Sequence, residues 1–210
     1  YQGFNGFTKA NKSKIYQILN FARISEHQKN IWTIKYELNS NVACTPSDCV
    51  KNLFSKNRSE AEKHSEYLIA YGERAKSVEN EVIKKLHRIK ALNKVSNDTR
   101  LIPKLLHILD NINTTDESAF ETMIWAIGDV SSQINQAASH SLIQAGYKAF
   151  PTIKKLYSSQ KPTPQSRLIE VIGTYKTIQA SALEFLTSIT PTDNSIKFSI
   201  EDSIAALKEN

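Results

Sequence analysis

The chain has 210 residues, 40% of them hydrophobic and 23% charged, with a formal net charge of +6. That composition excludes a disordered or collagen-like chain, and no apolar run approaches the ~18 residues that a membrane-spanning helix needs. Gly and Pro number six each, too few for the turn-rich sequence of a β-sandwich or barrel, so an all-α fold is expected.

The charge is uneven. Residues 1–100 hold 18 Lys+Arg against 10 Asp+Glu, a net of +8, and residues 101–210 hold 9 against 11, a net of −2. The sequence opens at Tyr1 rather than Met, and Met123 is its one methionine, which suits either a mature form after leader removal or an arbitrary boundary. Gly3 to Gly6 reads as a loose terminus, and the aromatics between Tyr1 and Phe7 are candidates for packing or for an interface. Ile15, Ile18, Leu19 and Ala22 mark a first helix. Ser25 with Gln28 is a helix-start pair, opening a segment whose apolar Ile31, Ile34 and Leu38 share one helical face. Trp32, Ile34, Tyr36 and Leu38 also alternate as a strand would, and helix is the preferred reading.

Cys44 and Cys49 are the only cysteines, in Cys-Thr-Pro-Ser-Asp-Cys. An even count at close spacing across a turn suits a local disulfide and an oxidising compartment, secreted or periplasmic, with cytoplasmic location as the alternative. Two buried thiols are the next reading. A zinc site needs two further ligands, and His27, His64, His87, His107 and His140 show no paired metal-ligand spacing. A redox pair is normally Cys-x-x-Cys. Thr45 with Asp48, and Pro46 at the first helical position, predicts a short helix carrying Cys49, Val50, Leu53 and Phe54 inward. The four Asn-x-Ser/Thr sequons, at Asn11, Asn57, Asn97 and Asn113, are near the number expected by chance.

Ser59 with Glu62 opens the longest periodic run. Leu68, Ala75, Val82 and Ile89 recur every seven residues, with Tyr71 and Val78 three after the first two, predicting a long helix over about 60–94 whose seam packs within the chain. Gly72 is its weak point and a break there is the alternative. Lys84, Lys85, Arg88 and Lys90 give this run a basic character able to meet an anionic partner, or to form an ordinary solvated face among Glu73, Glu79 and Glu81. With no aromatic between Ala75 and Asp110 for base stacking, nucleic-acid binding gains no support. Glu60, Glu62 and His64 are the nearest approach to a metal cluster on one turn, and a solvated, salt-bridged face with Lys63 is the preferred reading.

From residue 97 onward, amphipathic segments of 11 to 15 residues are separated by polar punctuation at Asn113–Asp116, Ser131–Ser132, Ser158–Pro162 and Thr190–Asn194. Leu101 to Leu109 resembles Ala149 to Tyr157, with Pro103 and Pro151 at the same place. Ala126-Ile127-Gly128 recurs as Val171-Ile172-Gly173, and Gln136 to Gly146 is a small-residue helix suited to close helix approach. Such repetition is the signature of a helical solenoid. At these residues, Ile102 to Leu106, Phe150 to Ile153 and the Ala-Gly and Ile-Gly endings, the chain resembles the HEAT-repeat family over about 97–208. Arg167 is its one match to the Arg usual near the start of a second helix, and the helix around Ala138 reads as either member of a pair. The resemblance implies an all-α superhelix, here with an N-terminal helical extension over 1–96, that binds another macromolecule, generally without catalysis.

No Gly-rich phosphate loop, His-Glu-x-x-His helix or Gly-x-Ser-x-Gly elbow occurs, so no catalytic, cofactor or metal residue is assigned. Trp125, on an apolar helix, is expected in the core. The functional expectation is a non-catalytic module that binds a protein partner, with polyanion binding through Lys84, Lys85, Arg88 and Lys90 as the alternative.

Overall fold

The computed structural model describes residues 44–55, 57–91 and 97–209. The expectations for the terminus at Gly3–Gly6, the aromatics Tyr1–Phe7, the helix at Ile15–Ala22 and the segment from Ser25 to Leu38 with Trp32 lie outside them. Every regular element among the described residues is helical. No helix among them is long and apolar enough to cross a membrane. The chain divides into two compact units, Tyr1–Val78 and Glu79–Asn210.

In the first unit, α1 (Pro46–Asn52) starts as its sequence dictates. Thr45 is the N-cap, its hydroxyl accepting from the Asp48 N–H at 3.2 Å, with Pro46 in the first turn. Cys49, Val50 and Leu53 are buried, but Phe54 is 36% exposed and does not join them. Past the end of α1 the chain leaves the helical register that would have turned Phe54 inward. Helix α2 (Arg58–Tyr71) is capped by Asn57 rather than Ser59, because the Asn57 side chain accepts from the N–H groups of Ser59 and Glu60. Both α2 and the 3₁₀ segment Gly72–Val78 pack against α1.

The long helix expected over 60–94 is broken at Gly72, whose φ of 56° ends α2 in a conformation that costs glycine least. The apolar positions of the run are buried on both sides of the break. Leu68, Ala75, Val78, Val82 and Ile89 are all buried, and Tyr71 is half-buried.

The second unit begins at Glu79, so α3 (Glu79–Ala91) belongs with the helices that follow it rather than with an extension ending at 96. The charge asymmetry shrinks accordingly. Residues 1–78 hold 12 Lys+Arg against 7 Asp+Glu, and residues 79–210 hold 15 against 14.

After a 3₁₀ turn at Asn97–Leu101 come α4 (Ile102–Asn111), α5 (Glu117–Ile127), α6 (Ser132–Ala145), α7 (Phe150–Tyr157), α8 (Pro162–Ile172), α9 (Gln179–Ser188) and α10 (Asn194–Lys208). The polar stretches read as punctuation supply their starts: Asp116 and Asp193 cap α5 and α10 with their side chains, and Ser131 precedes α6. The packing is regular. Helices pair as α3 with α4, α5 with α6, α7 with α8 and α9 with α10. Within one layer α4 packs on α6, α6 on α8, and α8 on α10. In the other, α3 packs on α5 and α5 on α7, and Phe150 and Tyr157 of α7 meet Phe185 of α9 edge-on, with ring centroids 5.9 and 5.7 Å apart.

The even-numbered helices start at residues 102, 132, 162 and 194, so one pair follows another every 30 to 32 residues in that layer. The sequence echo between Pro103 and Pro151 therefore does not mark equivalent places, since α4 and α7 lie in different layers. Both prolines occupy a helix start after a 3₁₀ turn, which is a shared local chemistry rather than a shared position in the repeat.

Candidate functional site

Among the described residues, three places gather polar or reactive side chains, and each is built by identifiable elements.

The first is the corner at Cys44 and Cys49. The two are joined as a disulfide with Cα atoms 5.5 Å apart, and Cys44 stands just before the N-cap while Cys49 lies buried in the first turn of α1. His64 of α2 approaches the pair, its Nδ1 3.1 Å from Cys44 Sγ, and the Tyr71 hydroxyl donates to the Cys44 carbonyl at 2.7 Å. An open groove of about 610 Å³ lies over them, lined by Asn57, Ser59, Glu60, Lys63, His64 and Tyr67 together with Cys44. Burial pushes the His64 imidazole below its usual range, outweighing Glu60, which pulls the other way, while Lys63 adds to the depression. With both sulfurs joined in the bridge, His64 packs against a disulfide and not against a free thiol.

The cluster of Glu60, Glu62 and His64 suggested by proximity in sequence does not form around a common point. Glu60 accepts from the Ser55 hydroxyl at 2.7 Å, helping to close the turn into α2, while His64 faces the cysteines.

The second place is α3. Val82, Ile83, Leu86 and Ile89 form its buried face, and Lys84, Arg88 and Lys90 are exposed while Lys85 is half-buried. At about 100° per residue, Lys84 and Arg88 point away from the core, whereas Lys85 and Lys90 leave opposite flanks, about 140° apart. Of the four cations anticipated as one anionic-partner contact, Lys84, Lys85 and Arg88 therefore share an arc of about 100°, and Lys90 leaves from the other flank.

The third place is the α4/α6 contact. Buried Ala137, Ala138 and Ser141 let α6 approach closely, and the Ser141 hydroxyl donates to the Leu106 carbonyl at 3.4 Å. Just beyond, His107 and Asp110 of α4 meet His140 of α6. His140 Nε2 stands 3.6 Å from Asp110 Oδ2, and the two imidazole rings are edge-on with centroids 5.8 Å apart. Burial raises the Asp110 carboxyl above its usual range against the pull of both histidines. No spacing in the sequence announces this meeting, because His140 comes from a different helix. The signal that was legible was the small-residue face that brings α6 against α4.

Other groups fix neighbouring pairs. Arg167 of α8 donates to the Ile127 carbonyl at 2.6 Å, satisfying the end of α5, and Tyr175 donates to the Leu142 carbonyl at 2.7 Å. Gly128 and Gly173, the two Ile-Gly endings, have ordinary negative φ and serve closeness instead. A Cβ on Gly173 would stand 2.7 Å from Ser203 Oγ and 3.1 Å from its Cα, and one on Gly128 3.1 Å from Pro164 Cγ. Trp125, expected in the core, is half-buried, because the deep face of α5 is filled by Phe120, Met123, Ile124 and Ile127.

No protein family matches the chain, and no curated protein does. Among solved structures, the chain is similar to a crystal structure of an engineered protein, at 13% identity and a TM-score of 0.46, with 93% of this chain and 96% of that one covered.

Proposed function

We propose that this chain is a non-catalytic protein-protein interaction module, a scaffold, adaptor or inhibitor-like binder, built as an α-solenoid. The observation that supports this reading is the stacking of successive helix pairs in two layers, each pair packed on the next. Such stacks have extended surfaces whose outer side chains are released from packing duty and available to a partner. In the layer of α4, α6, α8 and α10 the spacing is 30–32 residues, shorter than the roughly 40–47 residues of HEAT units, so the proposed likeness to that family rests on paired helices and not on repeat length.

The second unit also carries large apolar side chains in the open. Val130 is 94% exposed, Phe198 61% and Tyr147 59%. Exposed residues of this kind commonly anchor partners. The disulfide pair is compatible with a secreted or periplasmic setting, where such bridges persist.

The test is affinity capture with chemical cross-linking, comparing the wild-type chain with a Val130→Asp, Tyr147→Ser, Phe198→Asp variant. The expected result is a saturable protein partner that the variant loses while its melting temperature stays within a few degrees of wild type. Capture of no specific protein, or turnover in a substrate screen, overturns the reading.

A further inference from the structure

We infer that His107, Asp110 and His140 form a binding site for a divalent transition-metal ion of the Zn²⁺ class, tying α4 to α6.

His107 and Asp110 are three residues apart on α4, so their side chains lie on the same face one turn apart. The close packing of α6 then delivers His140 to that face. Each of the three offers a ligand atom, and these atoms all lie within 4.8 Å of one another. A tetrahedral zinc site with bonds of about 2.0–2.2 Å places its ligand atoms roughly 3.3–3.6 Å apart. The Asp110–His140 pair already stands at 3.6 Å, at the upper end of that range, and the third ligand atom lies within 4.8 Å of both.

The scaffold is suited to the task. The two helices are locked beside the cluster by the Ser141–Leu106 hydrogen bond and the buried alanines, and ligands held on packed helices are more precisely placed than ligands on loops. Two imidazoles and one carboxylate are the donor set that borderline ions prefer over hard ions such as Mg²⁺ or Ca²⁺. The Asp110 side chain is 16% exposed and that of His140 53%, so an ion held there would face water on the His140 side, which completes its coordination.

The Cys44, Cys49 and His64 group also brings three ligand residues together, but with its sulfurs bonded to each other it offers no thiolate. It is therefore the natural control.

The experiment uses the full chain, disulfide intact and stripped of metal with a chelator, titrated with Zn²⁺ by calorimetry and with Co²⁺ by visible spectroscopy. One Zn²⁺ per chain is expected, with Co²⁺ giving the d–d bands of a low-coordinate nitrogen and oxygen site. His140→Gln and Asp110→Asn should each weaken Zn²⁺ binding on the order of 100-fold or more, since even outer-shell losses cost 10–100-fold. His64→Gln and His87→Gln should leave it unchanged. His140 is half-exposed, so its variant keeps the fold, and an unchanged melting temperature without metal verifies this. Absence of stoichiometric binding, binding unaffected by His140→Gln, or binding lost in His64→Gln overturns the site.

Discussion

The described part of the first unit and the helix stack of the second are held by different means. The corner at 44–78 relies on devices close in sequence: a bridge between residues five apart, a Thr cap three residues from its partner, and His64 and Tyr71 reaching back 20 and 27 residues to Cys44. The second unit relies on bonds that jump from one helix pair to the next. Ser141 to Leu106 spans 35 residues, Tyr175 to Leu142 33, Ser203 to Ile169 34 and Arg167 to Ile127 40. Each of these is a side chain of one helix or turn satisfying a backbone carbonyl of an earlier one. A local staple acts largely by limiting the unfolded chain, whereas repeated interfaces add stability pair by pair. Damage should therefore stay where it is made in the first case and travel to neighbouring pairs in the second.

The sharpest way to break this contrast is a cavity in the stack. Leu168 is fully buried on α8, which packs on α5, α6, α7 and α10. Leu168→Ala should cost about 2–5 kcal/mol. Hydrogen exchange should show amides of α5 through α10 losing protection while those of α1 and α2 keep theirs. Equal loss at α1 and α2 would show that the two units unfold as one.

The reciprocal experiment removes the bridge. Closing so short a loop contributes about 2 kcal/mol, so a Cys44→Ser, Cys49→Ser variant should lose roughly that much, with faster exchange confined to residues 44–78. Mass spectrometry of the unreduced, alkylated protein checks the bridge itself. Two modified cysteines would refute it.

Much of the fold was legible because local chemistry decided it. Thr45 and Pro46 start α1, Asp116 and Asp193 start α5 and α10, and the apolar period places the buried faces. What misled was likeness between segments. Two helix starts with proline, and two helix ends in Ile-Gly, look like one repeat unit, yet each recurs in the opposite layer. Gly173 is small because Ser203 presses on it, a requirement set by a helix 30 residues away. The histidine and aspartate cluster was hidden for the same reason. Its members are ordinary surface positions on two helices until α6 is laid against α4.

The smallest expected effect tests whether the stack also depends on a purely local device. Asp116 caps α5, accepting from the Ser118 N–H at 2.8 Å and the Ser118 hydroxyl at 2.6 Å. The Ser118 side chain foremost, with the backbone N–H groups of Ser118 and Ala119 and nearby His87, holds the carboxyl below its usual 3.8 in spite of partial burial. A carboxyl whose folded pKa is depressed stabilises the fold above its unfolded pKa, and that contribution fades as pH falls through the folded value. Asp116→Ala should cost about 1 kcal/mol at neutral pH, as cap removals do. Asp116→Asn keeps an acceptor for Ser118 and should cost much less. Urea midpoints of wild type and Asp116→Asn, measured from pH 6 down to about 2.5, should converge with acidification as the wild-type carboxylate takes up its proton. A gap that stays constant across that range would mean the charge plays no part, and that the cap acts through its hydrogen bonds alone.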